Sequence, residues 1–211
     1  MQDQEGGDVA PERTPSPSRY DPERLRQDIV LSEHLRGHDF TFHSRWGLFS
    51  PREVDAGTRL LIDHIDVQPS DDCLDLGCGY GPIGLTMARL APDGVTYLVD
   101  KDFVAIEYAQ RNAELNGLAN CRTTLSDGFG AFPAEQRFDV VASNLPAKAG
   151  NEAYYLLFTD AREHLVDGGR LYVVTLSGQR RFIRRVFDEL FGNYEKVKQG
   201  RTHTVSLAVR R

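Results

Sequence analysis

Short apolar runs alternate with amphipathic stretches along most of the chain. The apolar runs predict strands over 72–76, 95–99, 121–125, 138–143 and 170–176. Apolar positions at helical spacing predict helices over 82–91, 102–116, 151–165 and 179–191. Two final runs, 195–198 and 203–209, flank four turn residues and predict an antiparallel hairpin. The repeated strand–helix units predict an α/β fold, a three-layer sandwich around a mostly parallel seven-stranded sheet.

The N-terminal part of the chain is less regular. Residues 1–22 are rich in Gly, Pro, Ser, Asp and Glu, a composition that predicts a disordered tail. After it we expect a helix over 23–36, a strand over 39–43 and a helix over 55–65. The length then predicts one domain over 23–211, in which a segment 38–65 precedes a core 66–211.

Composition narrows the function class. The formal net charge is −6, so strong non-specific binding to nucleic acid is not implied. No apolar run is long enough to cross a membrane, and the first residues do not have the pattern of a signal peptide. The three cysteines, Cys73, Cys78 and Cys121, form no C-x-x-C pair, and the six histidines lack metal-ligand spacing. We therefore expect a cytoplasmic protein with no metal site, no disulfide framework and no membrane partner.

The first predicted core strand runs into a glycine turn, D-L-G-C-G-Y-G over residues 75–81. Alternate glycines let a backbone bend sharply and approach a ligand closely. The spacing of residues 79–84 also fits the G-x-G-x-x-G dinucleotide pattern, but a lone match of that kind is weak evidence. Asp75, just before the first glycine, would repel a diphosphate and favour a ligand with a cationic amine or sulfonium. A turn without a ligand is the plain alternative.

This segment closely resembles the cofactor motif of class I S-adenosylmethionine (SAM) methyltransferases, and the resemblance covers about residues 38–211. It implies a Rossmann-like sheet with an antiparallel C-terminal hairpin. It also implies SAM as the cofactor and S-adenosylhomocysteine as the product. Within the motif and the next strand end, the cofactor contacts implied are Asp75, Gly77, Cys78, Gly79, Gly81, Asp100 and Lys101.

Two aspartates follow the second and third core strands. Asp100 lies about 20 residues after the glycine turn, the separation at which a carboxylate binds ribose hydroxyls. A solvated loop residue or a helix cap is the alternative for Asp100, although Asp102 is the better placed cap. By resemblance, Asp127 holds the adenine amine and Gly128 lets the loop pass close to the ring. An ordinary Asp-Gly turn is the alternative there.

The fourth core strand is followed by Asn144-Leu145-Pro146-Ala147, which resembles the Asn/Asp-Pro-Pro-aromatic motif of amine-directed methyltransferases. In that family the Asn oxygen and the next carbonyl accept hydrogen bonds from the target amine. Asn144 and Pro146 match and are the expected catalytic residues, with Asn144 also touching the cofactor. Leu145 replaces the first proline and can still offer its carbonyl to the substrate, whereas Ala147 replaces the stacking aromatic residue. A simple strand-exit turn is the alternative.

A second motif precedes the glycine turn. Residues 42–50 and 55–61 are similar to a Gly-x-Phe-Ser … Asp-x-Gly-Thr-x-Leu-Leu segment of the "methyltransferase small" domain family. That family includes ribosomal RNA guanine-N2 methyltransferases, and its members place this segment over the cofactor and substrate cleft. By resemblance, Trp46 and Phe49 supply an apolar lid or a platform for a base. Packing of both side chains in the core is the alternative.

The basic residues are concentrated in the C-terminal third of the chain. The group consists of Arg180, Arg181, Arg184, Arg185, Lys196, Lys198, Arg201, Arg210 and Arg211. Four of them, Arg180, Arg181, Arg184 and Arg185, share neighbouring faces of one predicted helix and either contact phosphate or form a solvated helix face.

Together these features predict a SAM-dependent methyltransferase acting on an exocyclic amine, with guanine N2 of ribosomal RNA favoured by resemblance. A methyltransferase for a protein glutamine or a small molecule is one alternative. A non-catalytic SAM-binding module and a nicotinamide enzyme are the others.

Overall fold

The structure, a computed structural model, describes residues 20–146 and 149–211. Its helices are Pro22–Arg26 (α1), Ala56–His64 (α2), Pro82–Leu90 (α3), Phe103–Leu115 (α4), Asn151–His164 (α5) and Arg180–Phe191 (α6). Its strands are Ile29–Leu35 (β1), His38–Ser44 (β2), Cys73–Leu76 (β3), Thr96–Asp100 (β4), Cys121–Leu125 (β5), Phe138–Asn144 (β6), Leu165–Leu176 (β7), Glu195–Gln199 (β8) and His203–Val209 (β9). Most of the predicted tail, residues 1–19, and Ala147 lie outside the described residues.

The main sheet has seven strands in the order β5-β4-β3-β6-β7-β9-β8. The first five strands of this list are parallel, and β9 pairs antiparallel with both β7 and β8. The predicted sheet with its C-terminal hairpin is therefore confirmed. Strands β3, β4 and β5 follow one another towards one side of the sheet, and β6 then lies on the other side of β3, so the strand order reverses there. Such a reversal opens a crevice at the carboxyl ends of the strands, where open α/β sheets bind ligands.

Two apolar cores cover the two faces of this sheet. Alternate residues of a strand point to opposite faces, so Cys73 packs in one core and Leu74 in the other. The first core includes residues of α2, α3, α4 and the N-terminal hairpin. The second includes residues of α5 and α6. The result is the predicted three-layer sandwich. None of the helices in the described residues is both long and apolar enough to span a membrane.

The predicted helix over 23–36 is wrong beyond its first turn. Helix α1 ends at Arg26, and β1 then pairs antiparallel with β2 in a separate two-stranded sheet. The two residues joining them, Arg36 and Gly37, have φ of 51° and 84°, the left-handed pair that a two-residue hairpin turn needs. Pairing with β2 therefore outweighs the local helical preference.

Strand β7 begins earlier than predicted. It starts at Leu165 rather than Arg170, and the ladder to β6 has a register shift between Phe138 and Val140. Gly168, within the strand, has φ of 81°. The residues Asp167, Gly168 and Gly169, which lie between the predicted helix and strand, therefore form an irregularity inside β7.

Candidate functional site

A cleft of about 1160 Å³ opens where β3 and β6 end. Its walls come from the glycine turn after β3, the ends of β4 and β6, the loop after β5 and the segment before α2. These are the strand ends to which the sequence assigned its candidate residues. The cleft therefore lies at the reversal of strand order, where this class of sheet binds its ligands.

The glycine turn exposes its backbone to the cleft. Gly77 and Gly79 line it with φ of 74° and 55°. A Cβ built on either would have no heavy atom within 4 Å, so both border open space. The amides of Gly77 and Cys78 both donate to the carbonyl of Val99, at 2.8 and 2.9 Å, which fixes the turn against β4. A ligand can thus approach this backbone closely without displacing a side chain.

Asp75 and Gly81 lie behind this wall and do not line the cleft. Asp75 is fully buried, and its Oδ2 accepts a hydrogen bond from the amide of Gly84 in α3 at 2.7 Å. Its Oδ1 is buried with no hydrogen-bond partner among the described residues. Burial, and then the nearby Asp100 carboxylate, raise the pKa of Asp75 to about 7. The sequence predicted direct contact between Asp75 and the cofactor. In the structure Asp75 instead supports the glycine turn through its hydrogen bond to α3.

Gly81 likewise serves packing. A Cβ on it would lie 2.7 Å from Leu85 Cδ1 and 3.3 Å from Leu98 Cδ2. One on Gly84 would lie 2.5 Å from Leu98 Cγ. The later glycines of the motif therefore let α3 pack closely on β4, and the earlier ones face the ligand space.

Asp100 lines the cleft at the end of β4, beside Lys101. Its Oδ2 accepts from the amide of Gly79 at 3.0 Å and its Oδ1 from the amide of Asp102 at 3.0 Å. Asp102 caps α4 by accepting from Val104 N, as predicted. Each carboxylate oxygen of Asp100 therefore already accepts a hydrogen bond from one backbone amide, and one of these amides belongs to the glycine turn. A carboxylate has about four acceptor positions, which leaves capacity for a ligand diol.

The loop after β5 contributes Asp127 and Gly128 to the cleft. Asp127 is exposed, and Gly128 has φ of 60°. Ser126 shapes the loop, with its Oγ donating to Gly128 O at 2.9 Å and accepting from Ala131 N at 3.1 Å. The following Phe129 is buried and stacks on His164, with ring centroids 4.9 Å apart. It is thus part of the core and not a wall for a ligand.

Cys78 lines the cleft but is a poor nucleophile. Its side chain is buried, and burial, with the carboxylates of Asp75 and Asp100, raises the pKa of the thiol well above its ordinary value. The group stays protonated near neutral pH. Among the described residues no three His, Cys, Asp or Glu side chains are grouped so as to hold a metal ion.

Asn144 ends β6 with its side chain half-buried on the cleft wall. Its amide nitrogen Nδ2 donates to Asp55 Oδ2 at 3.1 Å and to Thr58 Oγ1 at 2.9 Å. Asp55 and Thr58 also line the cleft, at the start of α2. The predicted acceptor motif and the segment before the glycine turn are therefore in direct contact.

Leu145 and Pro146 continue the same wall. Leu145 is buried and its amide donates to Val174 O at 3.1 Å. Pro146 is exposed, and the hydroxyl of the buried Tyr154 donates to its carbonyl. These two contacts tie the motif to β7 and α5.

The segment before α2 contributes Phe49 to the cleft, and this residue is 66% exposed. Trp46 is 44% exposed and does not line the cleft; the guanidinium of Arg52 lies 5.8 Å from its ring centre. The hydroxyl of Tyr80, in the glycine turn, donates to Glu53 O at 3.1 Å. This bond fastens the segment beside the cofactor turn.

Several cleft residues received no role from the sequence. Leu156 on α5 and Leu176 at the end of β7 expose 64% and 43% of their surface. Asp55 had a usable signal, because an aspartate before an apolar helical run is a helix N-cap signature. The leucines had none, since only the tertiary fold brings them to the cleft.

Comparison with known proteins identifies the same family that the sequence motifs resemble. The family model described as methyltransferase small domain matches residues 39–206. YbxB of Bacillus subtilis is 40% identical over 144 residues, covering 68% of this chain and 72% of that protein. The ribosomal RNA small subunit methyltransferase C of Haemophilus influenzae strain PittGG is 35% identical over 146 residues, covering 67% of this chain and 43% of that enzyme.

A solved structure of a T. thermophilus 16S rRNA N2 guanine methyltransferase, in complex with AdoMet and guanosine, superposes with a TM-score of 0.76. It is 27% identical, and the match covers 87% of this chain and 51% of that one. The chain thus spans about half the length of the ribosomal RNA methyltransferases it matches. On the family match and the shared fold, the chain belongs to the methyltransferase small domain family.

Proposed function

We propose that this protein is a SAM-dependent N-methyltransferase that methylates an exocyclic amine, guanine N2 of ribosomal RNA. The observation that carries the proposal is the position of Asn144, an amide at the end of β6 in the same cleft as the glycine turn. The relatives named as ribosomal RNA methyltransferases and the guanosine-bound structural neighbour support the choice of substrate. Such a substrate would place the enzyme in the cytoplasm.

We assign this cleft to SAM. Gly77 and Gly79 leave open backbone for the cofactor, Asp100 offers acceptors for the ribose, and Asp127 offers a carboxylate to the adenine amine. Lys101 and Gly128 flank these two positions, and Cys78 contributes an uncharged surface. The carboxylates lining the cleft favour a cationic ligand. They are Asp55, Asp100, Asp102, Asp127 and Asp160.

SAM supplies an activated methyl group on its sulfonium. The protein must then orient the acceptor nitrogen and exclude water. We assign orientation to Asn144, whose amide oxygen accepts from the target amine, and to the Leu145 carbonyl. Pro146 holds the turn that presents them. Ala147 stands where the family motif has an aromatic residue that stacks on the base. We assign this role to the apolar surface of Phe49, Leu156 and Leu176.

A cationic edge next to the cleft supports RNA as the partner. The turn between β8 and β9 lies at the carboxyl end of β7, because Leu176 pairs with His203 and Ser177 N donates to Thr202 O at 2.9 Å. Exposed Arg201 in this turn and exposed Arg181 at the start of α6 therefore lie beside the acceptor side of the cleft. We assign them contacts to RNA phosphates.

The test is methyl transfer from labelled SAM to ribosomal RNA, with protein and metabolite fractions assayed in parallel. We expect label in RNA, released as N2-methylguanosine on digestion to nucleosides. Label in protein alone, or in a small molecule alone, contradicts the RNA assignment. Titration with S-adenosylhomocysteine and with NAD checks the cofactor, and tight binding of NAD alone contradicts it.

The Asn144→Ala variant separates an enzyme from a non-catalytic SAM-binding module. We expect this variant to bind S-adenosylhomocysteine like the wild type, because the glycine turn and Asp100 are unchanged. Transfer should fall by about a hundredfold, since the acceptor loses its orienting oxygen. Unchanged transfer contradicts the role assigned to Asn144.

A further inference from the structure

We infer that Asp55 is a positioning residue that fixes which end of the Asn144 amide faces the substrate. The inference rests on the proposed function and deepens it. Asp55 and Asn144 are 89 positions apart in sequence, yet Asp55 Oδ2 lies 3.1 Å from Asn144 Nδ2. Among the described residues Asp55 is the partner of this amide that can only accept hydrogen bonds; the second partner, Thr58, has a hydroxyl.

The chemistry of the two groups sets the orientation. The two ends of an Asn amide have almost the same shape but opposite roles, one an acceptor and the other a donor of two hydrogens. An ionised carboxylate can only accept. Asp55 therefore holds Nδ2, and Oδ1 of Asn144 is turned away from it. Only in this orientation does Asn144 offer an acceptor to a target amine.

Asp55 is itself held in place. It is the N-cap of α2, and the same Oδ2 accepts from Gly57 N at 2.8 Å and Thr58 N at 3.3 Å. A helix N-terminus also stabilises the negative charge of its cap. The carboxylate is therefore fixed by the helix before it meets Asn144.

The space around this contact is tight. A Cβ on Gly57 would lie 2.9 Å from Asp55 Oδ2 and 2.9 Å from His203 Cδ2. Glycine at this position lets the Asp55 carboxylate and the His203 ring pack against the first turn of α2. The first turn of α2 and the start of β9 therefore meet beside the Asp55 carboxylate at the cleft wall.

Helix capping alone would also explain Asp55, so the test must keep the cap. Serine is about as good an N-cap as aspartate, but its shorter side chain cannot cap α2 and also reach Asn144. In Asp55→Ser the Asn144 amide therefore loses this partner and keeps Thr58, whose hydroxyl can bond to either end of it. We expect kcat to fall by about a hundredfold, as for a misplaced acceptor, with unchanged binding of S-adenosylhomocysteine and unchanged KM for RNA. Asp55→Asn places its amide oxygen at the capping position, still accepts from Asn144 Nδ2, and should retain most of the wild-type kcat.

A double variant makes the test specific. In Asn144→Ala no amide is left to orient, so adding Asp55→Ser should cause no further loss. We expect Asp55→Ser/Asn144→Ala to have the kcat of Asn144→Ala alone. Asp21→Ser, which changes the N-cap of α1 outside the cleft, is the matched control and should have wild-type kcat.

Wild-type kcat for Asp55→Ser overturns the inference, and so does a double variant slower than Asn144→Ala, or an Asp55→Asn variant as slow as Asp55→Ser. Failure of the proposed function has a different result, namely a wild-type enzyme that transfers no methyl group to RNA. If the wild type methylates protein or a metabolite instead, the same variants assayed on that acceptor test the positioning role separately.

Discussion

Asn112 on α4 pairs with the backbone of His43 on β2, as a neighbouring strand would. Its Oδ1 accepts from His43 N at 2.7 Å, and its Nδ2 donates to His43 O at 2.9 Å. The same Nδ2 donates to Tyr80 O in the glycine turn at 2.9 Å. One fully buried side chain thus joins the N-terminal hairpin, α4 and the proposed cofactor site.

Asn112→Ala should therefore weaken both folding and cofactor binding. The substitution leaves buried backbone groups of His43 unpaired, which costs about 3 kcal/mol of unfolding free energy. It also removes the donor to Tyr80 O, so the glycine turn loses support and S-adenosylhomocysteine should bind more weakly. Urea unfolding and calorimetric titration measure the two effects.

Asn116→Ala is the matched control for this prediction. Asn116 pairs with Thr41 in the same way, accepting from its N at 3.0 Å and donating to its O at 2.8 Å, but does not contact the glycine turn. It should lower stability without changing cofactor affinity. Equal cofactor affinity in both variants would argue against a link through Tyr80.

Asp100 gives the most direct test of the cofactor site. Asp100→Ala removes the acceptor for Gly79 N and the proposed ribose contact together, so S-adenosylhomocysteine should bind about 2–3 kcal/mol more weakly. Asp102→Ala, which removes the cap of α4, should lower stability and leave affinity nearly unchanged. Reversed effects in titration and unfolding would show that Asp100 is only a structural residue.

Much of the fold could be predicted because its signals are local. Each core strand is a short apolar run, and residues at strand ends fall on one sheet edge, so Gly77, Asp100, Asp127 and Asn144 all line one cleft. Strand β1 was missed because its pairing with β2, and not its own sequence, decides its conformation.

The support behind the site could not be predicted in the same way. The carboxylate of Asp75 looks like a ligand group in sequence, but its burial against Gly84 depends on how α3 packs on the sheet. The Asp55–Asn144 contact joins two motifs across 89 positions, and no local pattern encodes that distance. Motifs thus identified the parts of the site, and the fold determined which of them act on each other.

The apolar rim should control binding of the acceptor. Phe49→Ala should raise KM for RNA by about tenfold and leave S-adenosylhomocysteine affinity unchanged, because stacking of one base on an aromatic ring contributes about 1–3 kcal/mol. Trp46→Ala is the comparison, since Trp46 lies outside the cleft. Steady-state kinetics on RNA decides between the two aromatic residues. A larger effect for Trp46 would favour the lid role that the sequence suggested for it.

The cationic edge should determine the salt dependence of RNA binding. Arg181→Glu and Arg201→Glu should each weaken binding and reduce the slope of log affinity against log salt by about 1. Arg162→Glu makes the same charge change near the end of α5, just before β7 begins. This position lies at the amino end of β7, whereas the cationic edge lies at its carboxyl end. Arg162→Glu should therefore leave the slope unchanged. Filter binding at several salt concentrations measures the slope. Equal slopes for all three variants would place the phosphate contacts elsewhere.

The buried Asp75 should make stability depend on pH. Its pKa in the folded protein is about 7, against an ordinary value of 3.8, so between these values the folded state holds more protons than the unfolded state. The free energy of unfolding should therefore fall as pH rises from about 4 to about 7, through this residue alone. Asp75→Asn keeps an acceptor for Gly84 N and cannot ionise, so its stability should fall less over this range.

Urea unfolding at several pH values between 4 and 8 compares the two proteins. The useful quantity is the difference in unfolding free energy between wild type and Asp75→Asn, since other titrating groups cancel in it. Asp63→Asn removes an exposed carboxylate and is the control for charge alone. A difference that stays constant with pH for Asp75→Asn would mean that this carboxyl has the same pKa in the folded and unfolded protein, which contradicts the raised value.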